Sequence, residues 1–89
     1  MAAAPTDAEL TAVLLAVQQG DDSNSLLDNG ALAEVCHLSL EVVAERLAVA
    51  KQRQLIWGWR SNQRPAPWYT DLELTVQGRR FLATQYPAP

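Results

Sequence analysis

Three sets of side chains in this sequence are of types that do chemistry. Cys36 is followed at once by His37, a nucleophile beside a base. A run of cations extends from Arg46 to Arg64. Trp57, Trp59, Trp68 and Tyr69 fall within the later part of that run and just beyond it. A thiol nucleophile needs its base in space, and neighbours on a helix point about 100° apart. Cys36 and His37 are therefore not expected to face one another as a catalytic pair, no second ligand stands near His37 for a metal, and Cys36 is expected to be core packing. No Gly-rich phosphate loop, paired catalytic acids or Ser/His/Asp set is present. We therefore expect no enzyme, no cofactor and no metal. A single cysteine also cannot form an internal disulfide, which fits a reducing, cytoplasmic setting. Met1 to Pro5 lacks the basic and apolar regions of a secretory signal. The apolar runs are also far shorter than the roughly 18 residues of a membrane span.

The cations are placed unevenly. Residues 1–45 carry eight acids and no Lys or Arg, whereas residues 46–89 carry all seven bases against Asp71 and Glu73. The halves are −8 and +5, for a net −3. Between Arg46 and Tyr69 there are five bases and no acid. Such asymmetry points to a basic working face on an acidic body. Arg60, Asn62, Gln63 and Arg64 lie in a polar stretch with Pro65 and Pro67, and a projecting Arg on a stiff loop suits a narrow minor groove. Arg46, Lys51 and Arg53 flank the preceding segment and could reach phosphates, which position a protein without reading sequence.

Positioning these groups takes one small domain, expected over residues 7–86 after a frayed tail of residues 1–6. Thr6 with Glu9 is a capping box, so the first helix should start near Asp7. Leu10, Val13, Leu14 and Val17 give its apolar face, and Gly20 is expected to end it. Asp21 to Asn24 is turn material, and Ser25-Leu26-Leu27 could be a single short strand. Asp28 or Asn29 can cap a second helix with Leu32, Ala33, Val35 and Cys36 inward. His37-Leu38 makes the turn, and Ser39 caps a third helix that buries Val43, Leu47, Ala50 and the stem of Gln54. Leu55 and Ile56 open a hairpin. In its second strand Leu72 and Leu74 alternate with Asp71 and Glu73. Thr75 caps a last helix to about Gln85, with Phe81 and Leu82 inward, and Pro87 and Pro89 close the chain.

Helix, hairpin, helix in this order is the layout of an α+β winged helix-turn-helix. Three segments resemble the MarR-like group of prokaryotic regulators. Leu32 to Ser39 resembles "Leu-Ala-Glu-x-Leu-Gly-Leu-Ser", Val43 to Ile56 resembles "Val-x-x-x-Leu-x-x-Leu-x-x-x-Gly-Leu-Ile", and Leu74 to Arg79 resembles "Leu-Thr-x-x-Gly-Arg". The chain departs at His37 and Gln54, where the pattern has glycine, and at Ala50, where it has a larger apolar residue. The group's long dimerisation helices are absent. The resemblance implies binding of double-stranded DNA, usually as a dimer. The third helix would then enter the major groove, and the hairpin would lie along the backbone or in the minor groove.

The residues themselves divide on that expectation. With Val43, Leu47, Ala50 and Gln54 inward, the opposite stripe is Glu41, Glu45, Ala48 and Gln52, with two acids and no base. Duplex DNA carries one negative charge per ~1.7 Å, so this stripe is repulsive, although Glu41 also suits the helix dipole. The expected function is a small transcriptional regulator that binds through its wing and through phosphates. The alternative is an interaction module, a homodimer or complex subunit. It would dock through Trp57, Trp59 and Tyr69 on the outer hairpin face together with Glu41 and Glu45. A third possibility is that the acidic first half mimics nucleic acid for a basic partner.

Overall fold

The computed structural model describes residues 8–85, and the side chain of Gln85 is not described. The expectations for Thr6, Asp7, the 1–6 tail, Pro87 and Pro89 fall outside these residues. The elements are α1 (Ala8–Asp22), α2 (Asn29–Cys36), α3 (Leu40–Gln52), β1 (Ile56–Ser61), β2 (Trp68–Leu74) and α4 (Val76–Gln85). Helix α1 is central and packs against the other three helices and β2. Its Leu10, Val13, Leu14 and Val17 are buried, as the spacing predicts. They meet Leu32 of α2, Val43, Leu47 and Ala50 of α3, Ile56, Leu72 and Leu74 of the sheet, and Leu82 of α4.

The caps follow the sequence. Asp28 Oδ1 accepts from the Ala31 N–H at 2.9 Å, and Ser39 Oγ accepts from the Val42 N–H at 3.1 Å. Thr75 Oγ1 accepts from the Gly78 N–H at 2.9 Å and donates to the Gln54 carbonyl at 2.7 Å, tying the start of α4 to the turn before the wing. Gly78 cannot carry a side chain, because a Cβ there would collide with the Leu55 carbonyl. His37 and Gln54, which stand where the MarR-like pattern has glycine, both adopt left-handed backbone at φ 56° and 60°. The fold demands the glycine conformation at both turns and obtains it from other residues.

Five expectations need correction. Helix α1 does not stop at Gly20 but runs to Asp22. Gly20 is buried against Leu27, whose Cδ1 lies 2.7 Å from where a Cβ would sit, so glycine serves close approach there. Asn24, at φ 59°, takes the left-handed turn position instead. Val35 is 56% exposed, because the short α2 turns Asn29 and Leu32 fully inward and leaves Val35 on the outer side. Gln54 is exposed, its side chain thrown outward by the turn. The stretch Ser25-Leu26-Leu27 contributes one bridge, Leu27 to Leu72, rather than a strand.

The fifth correction concerns the sheet. Strands β1 and β2 are antiparallel, with Trp57 opposite Glu73 but Trp59 opposite Thr70. Between these pairs β1 advances two residues and β2 three, so β2 carries a bulge, with Asp71 at φ 55°. An inserted residue turns everything beyond it to the opposite face. Tyr69 therefore points into the core and is 6% exposed. It does not share the outer face with Asp71 and Glu73, as strict alternation predicts.

Candidate nucleic-acid interface

The wing is the β1–β2 hairpin, with residues 62–67 at its tip. It is held to the body by Asn29, a fully buried residue on the first turn of α2. The Asn29 Nδ2 donates to the Pro67 carbonyl at 3.0 Å, and its Oδ1 accepts from the Tyr69 N–H at 2.8 Å. Trp68 lies over Gly30, its ring 3.7 Å from where a Cβ would stand. Because Asp28 already caps α2, the Asn29 amide is free to hold the second wing strand where it leaves the tip. Sequence reasoning treats Asn29 only as a second candidate cap. The surplus of one capping residue is the signal it passes over.

From this anchored hairpin Arg60, Asn62, Gln63 and Arg64 are all exposed. The Gln63 N–H donates to Ser61 Oγ at 3.2 Å, ordering the first turn of the tip. Among the described residues, neither Arg60 nor Arg64 has an ion-pair partner within reach. Lys51 and Arg53 sit at the C-terminal end of α3, which leads into the wing base. The Lys51 Nζ lies 5.5 Å from the centre of the Trp57 ring, and the Arg53 guanidinium lies 4.8 Å from that of Phe81. Both residues are exposed.

Arg46 does not join this surface. It reaches back to α1, with Nη2 3.3 Å from Glu9 Oε1 and only a quarter of its side chain exposed. Arg79 is likewise taken up by the acidic end of α1, at 2.9 Å from Asp21 and 3.5 Å from Asp22. The expected cationic face thus divides: the wing tip and the end of α3 remain open, and Arg46 is diverted into holding helices together. On α3 the expected stripe is confirmed in position. Glu41, Glu45 and Gln52 are exposed, and Ala48 is half-buried.

The Cys36 thiol is half-buried, 3.6 Å from the Ala12 carbonyl. Burial pushes its pKa up, which lowers the thiolate fraction that reactivity requires. It packs between α2 and α1. Among the described residues no three His, Cys, Asp or Glu side chains come together as a metal site, and no helix is long and apolar enough to cross a membrane.

No protein-family model matches this chain, and no curated protein matches it. Solved structures do. A mutant of MepR from S. aureus superposes at a TM-score of 0.71 with 15% identity, over 92% of this chain and 56% of that one. This chain is a winged helix-turn-helix. Streptococcus pneumoniae FabT, solved in complex with DNA, is similar at a TM-score of 0.64 and 16% identity, over 91% of this chain and 52% of that one. The PcaV transcriptional regulator from Streptomyces coelicolor, solved with its natural ligand, is 26% identical at a TM-score of 0.61, over 85% and 49%. A further similar structure is a zinc-responsive MarR family member, ZitR from Lactococcus lactis. The winged helix spans about half the length of the solved structures it matches.

Proposed function

We propose that this winged helix is the DNA-binding element of a cytoplasmic transcriptional regulator, and that it holds the duplex mainly through its wing and through phosphates. The observation that carries the reading is the pair Arg60 and Arg64. Both are exposed on a hairpin fixed by Asn29, and neither is neutralised by a described acid. Cations left free on a rigid projection are available to displace counterions from DNA, whereas Arg46 and Arg79 are spent on ion pairs. Similar structures solved with DNA, of FabT and of MepR, support the same partner.

In this reading α3 is a spacer more than a reader. Its exposed acids, Glu41 and Glu45, repel phosphate, and the base contact that suits them best is acceptance from a cytosine amino group. Lys51 and Arg53 at its far end add backbone contacts beside the wing. Arg60 and Arg64 supply minor-groove or phosphate contacts at the tip, with Asn62 and Gln63 as neutral hydrogen-bonding groups between them. The reading is tested by fluorescence anisotropy on random duplex over a salt series. Each phosphate contact contributes about 0.9 to the log–log salt slope. Arg60→Ala with Arg64→Ala should lower that slope by about 2 and weaken binding at least about 10-fold at low salt. Absence of wild-type binding at low salt would remove the proposal.

A further inference from the structure

Trp57 and Trp59 are 61% and 73% exposed on the outer face of β1, and Leu26 beside them is 69% exposed. A tryptophan buries 150–250 Å² when covered, so the two leave on the order of 300 Å² of aromatic surface wet, as large as the main apolar patch of a typical monomer. DNA contact through wing cations does not use this surface. The same strand has a second unsatisfied feature. One edge of β1 pairs with β2, and the lone Leu27 bridge falls on β2, so among the described residues nothing pairs with the other edge. Native edges are usually blunted by proline, by charge or by a bulge. Here the bulge lies on β2, which leaves β1 regular. From Ile56 to Arg60 the strand has no proline, and its one charge is at the end.

We propose that this free edge is where a second copy of the chain docks, the two β1 strands pairing antiparallel about a two-fold axis at Gly58. The sequence Trp57-Gly58-Trp59 is symmetric about its centre, and self-complementarity is what an isologous contact requires. In this register Trp57 faces the partner's Trp59, and Trp59 faces the partner's Trp57, so four indoles meet on one face at the spacing of cross-strand pairs. Gly58 meets its own copy. Its missing Cβ would point inward, 2.9 Å from Leu72 Cδ2 and 3.3 Å from Tyr69 Cβ, which leaves both tryptophans outward. On the inner side Arg60 falls opposite the partner's Ile56, so no like charges oppose one another. A register centred two residue pairs further along the strand would set Arg60 against the partner's Arg60. Glu73 is paired with Trp57 across the sheet and remains at the rim. Lys51, already against Trp57, would cap the aromatic cluster. The tip residues Asn62, Gln63 and Arg64 lie beyond the paired segment and Arg60 at its end, and the contact itself requires no DNA, so it holds or fails separately from the DNA-binding reading.

Sedimentation velocity of the free protein from micromolar to millimolar concentration tests this without DNA. The wild type should shift from monomer to dimer. Trp59→Glu and Trp59→Ser should each abolish or weaken the shift at least about tenfold while leaving the melting temperature of the monomer unchanged, since the side chain is exposed. The register is tested in a Cys36→Ser background. Trp57→Cys mixed with Trp59→Cys should form an oxidised cross-link, and Trp57→Cys alone should not. A wild type that stays monomeric throughout, or a dimer that survives both Trp59 substitutions, overturns the proposal. Cross-linking of Trp57→Cys to itself overturns the register.

Discussion

Helix α3 and the wing are consecutive in the chain and carry opposite surfaces. The outward stripe of α3 presents Glu41 and Glu45, and the wing presents Arg60 and Arg64. In the expected geometry of this fold both elements approach DNA, and a single cationic face across the two would be the simple arrangement. Instead the one arginine in the middle of α3, Arg46, turns back to Glu9, and the free positive charge lies at the last turn of the helix and beyond it. The lesson is that a fold places surfaces without deciding their chemistry. Charge of either sign can be assigned to either element as long as the buried side of each is preserved. Here the buried side of α3 is intact at Val43, Leu47 and Ala50.

The comparison breaks most readily at the anchor. Asn29→Ala would strand the Tyr69 N–H and the Pro67 carbonyl. At about 1–3 kcal/mol for the buried Tyr69 N–H left unpaired, and less for the partly buried Pro67 carbonyl, stability should fall by about 2–4 kcal/mol. Urea unfolding would show this, and faster exchange of the Tyr69 amide would show that the wing itself has loosened. Next in size is a contrast between two kinds of arginine. The Arg60→Ala and Arg64→Ala pair should reduce duplex binding at least about tenfold without changing the melting temperature. Arg46→Ala should do the reverse: cost about 0.5–1 kcal/mol of stability, as a partly exposed ion pair does, and leave DNA affinity unchanged. Glu41→Gln with Glu45→Gln sharpens the contrast from the helix side. Binding should improve a few-fold at low salt, and the gain should shrink as salt screens it. The smallest effect is expected at the α2 turn, where His37→Gly should add up to about 1 kcal/mol by relieving a left-handed backbone that a side chain resists. Thermal melting would register it.

The helices were legible in the sequence because local rules decide them. Asp28, Ser39 and Thr75 are capping residues ahead of apolar periodicity, and each caps where it is expected. Even the departures from the MarR-like pattern were informative, since His37 and Gln54 stand at the two positions that need left-handed backbone. The failures are tertiary or one to two residues wide. The alternation Asp71-Leu72-Glu73-Leu74 correctly orients Leu72 and Leu74, but extending it back to Tyr69 crosses a bulge that changes the face. Asp71 in αL is an allowed bulge residue, yet nothing in its neighbours demands that the extra residue be there. Arg46 and Glu9 are 37 positions apart, and only the packing of α3 on α1 brings them together. Of the wing, the exposed tip was legible, whereas the Asn29 anchor depends on a contact 38 to 40 residues away.

The division of labour between α3 and the wing is tested most directly by backbone amide chemical shifts during titration with duplex DNA. The account expects the largest perturbations at residues 60–64, smaller ones at Lys51 and Arg53, and little change at Glu41, Glu45 and Ala48. Perturbations concentrated along Glu41, Glu45 and Ala48, with the wing resonances unmoved, would contradict it.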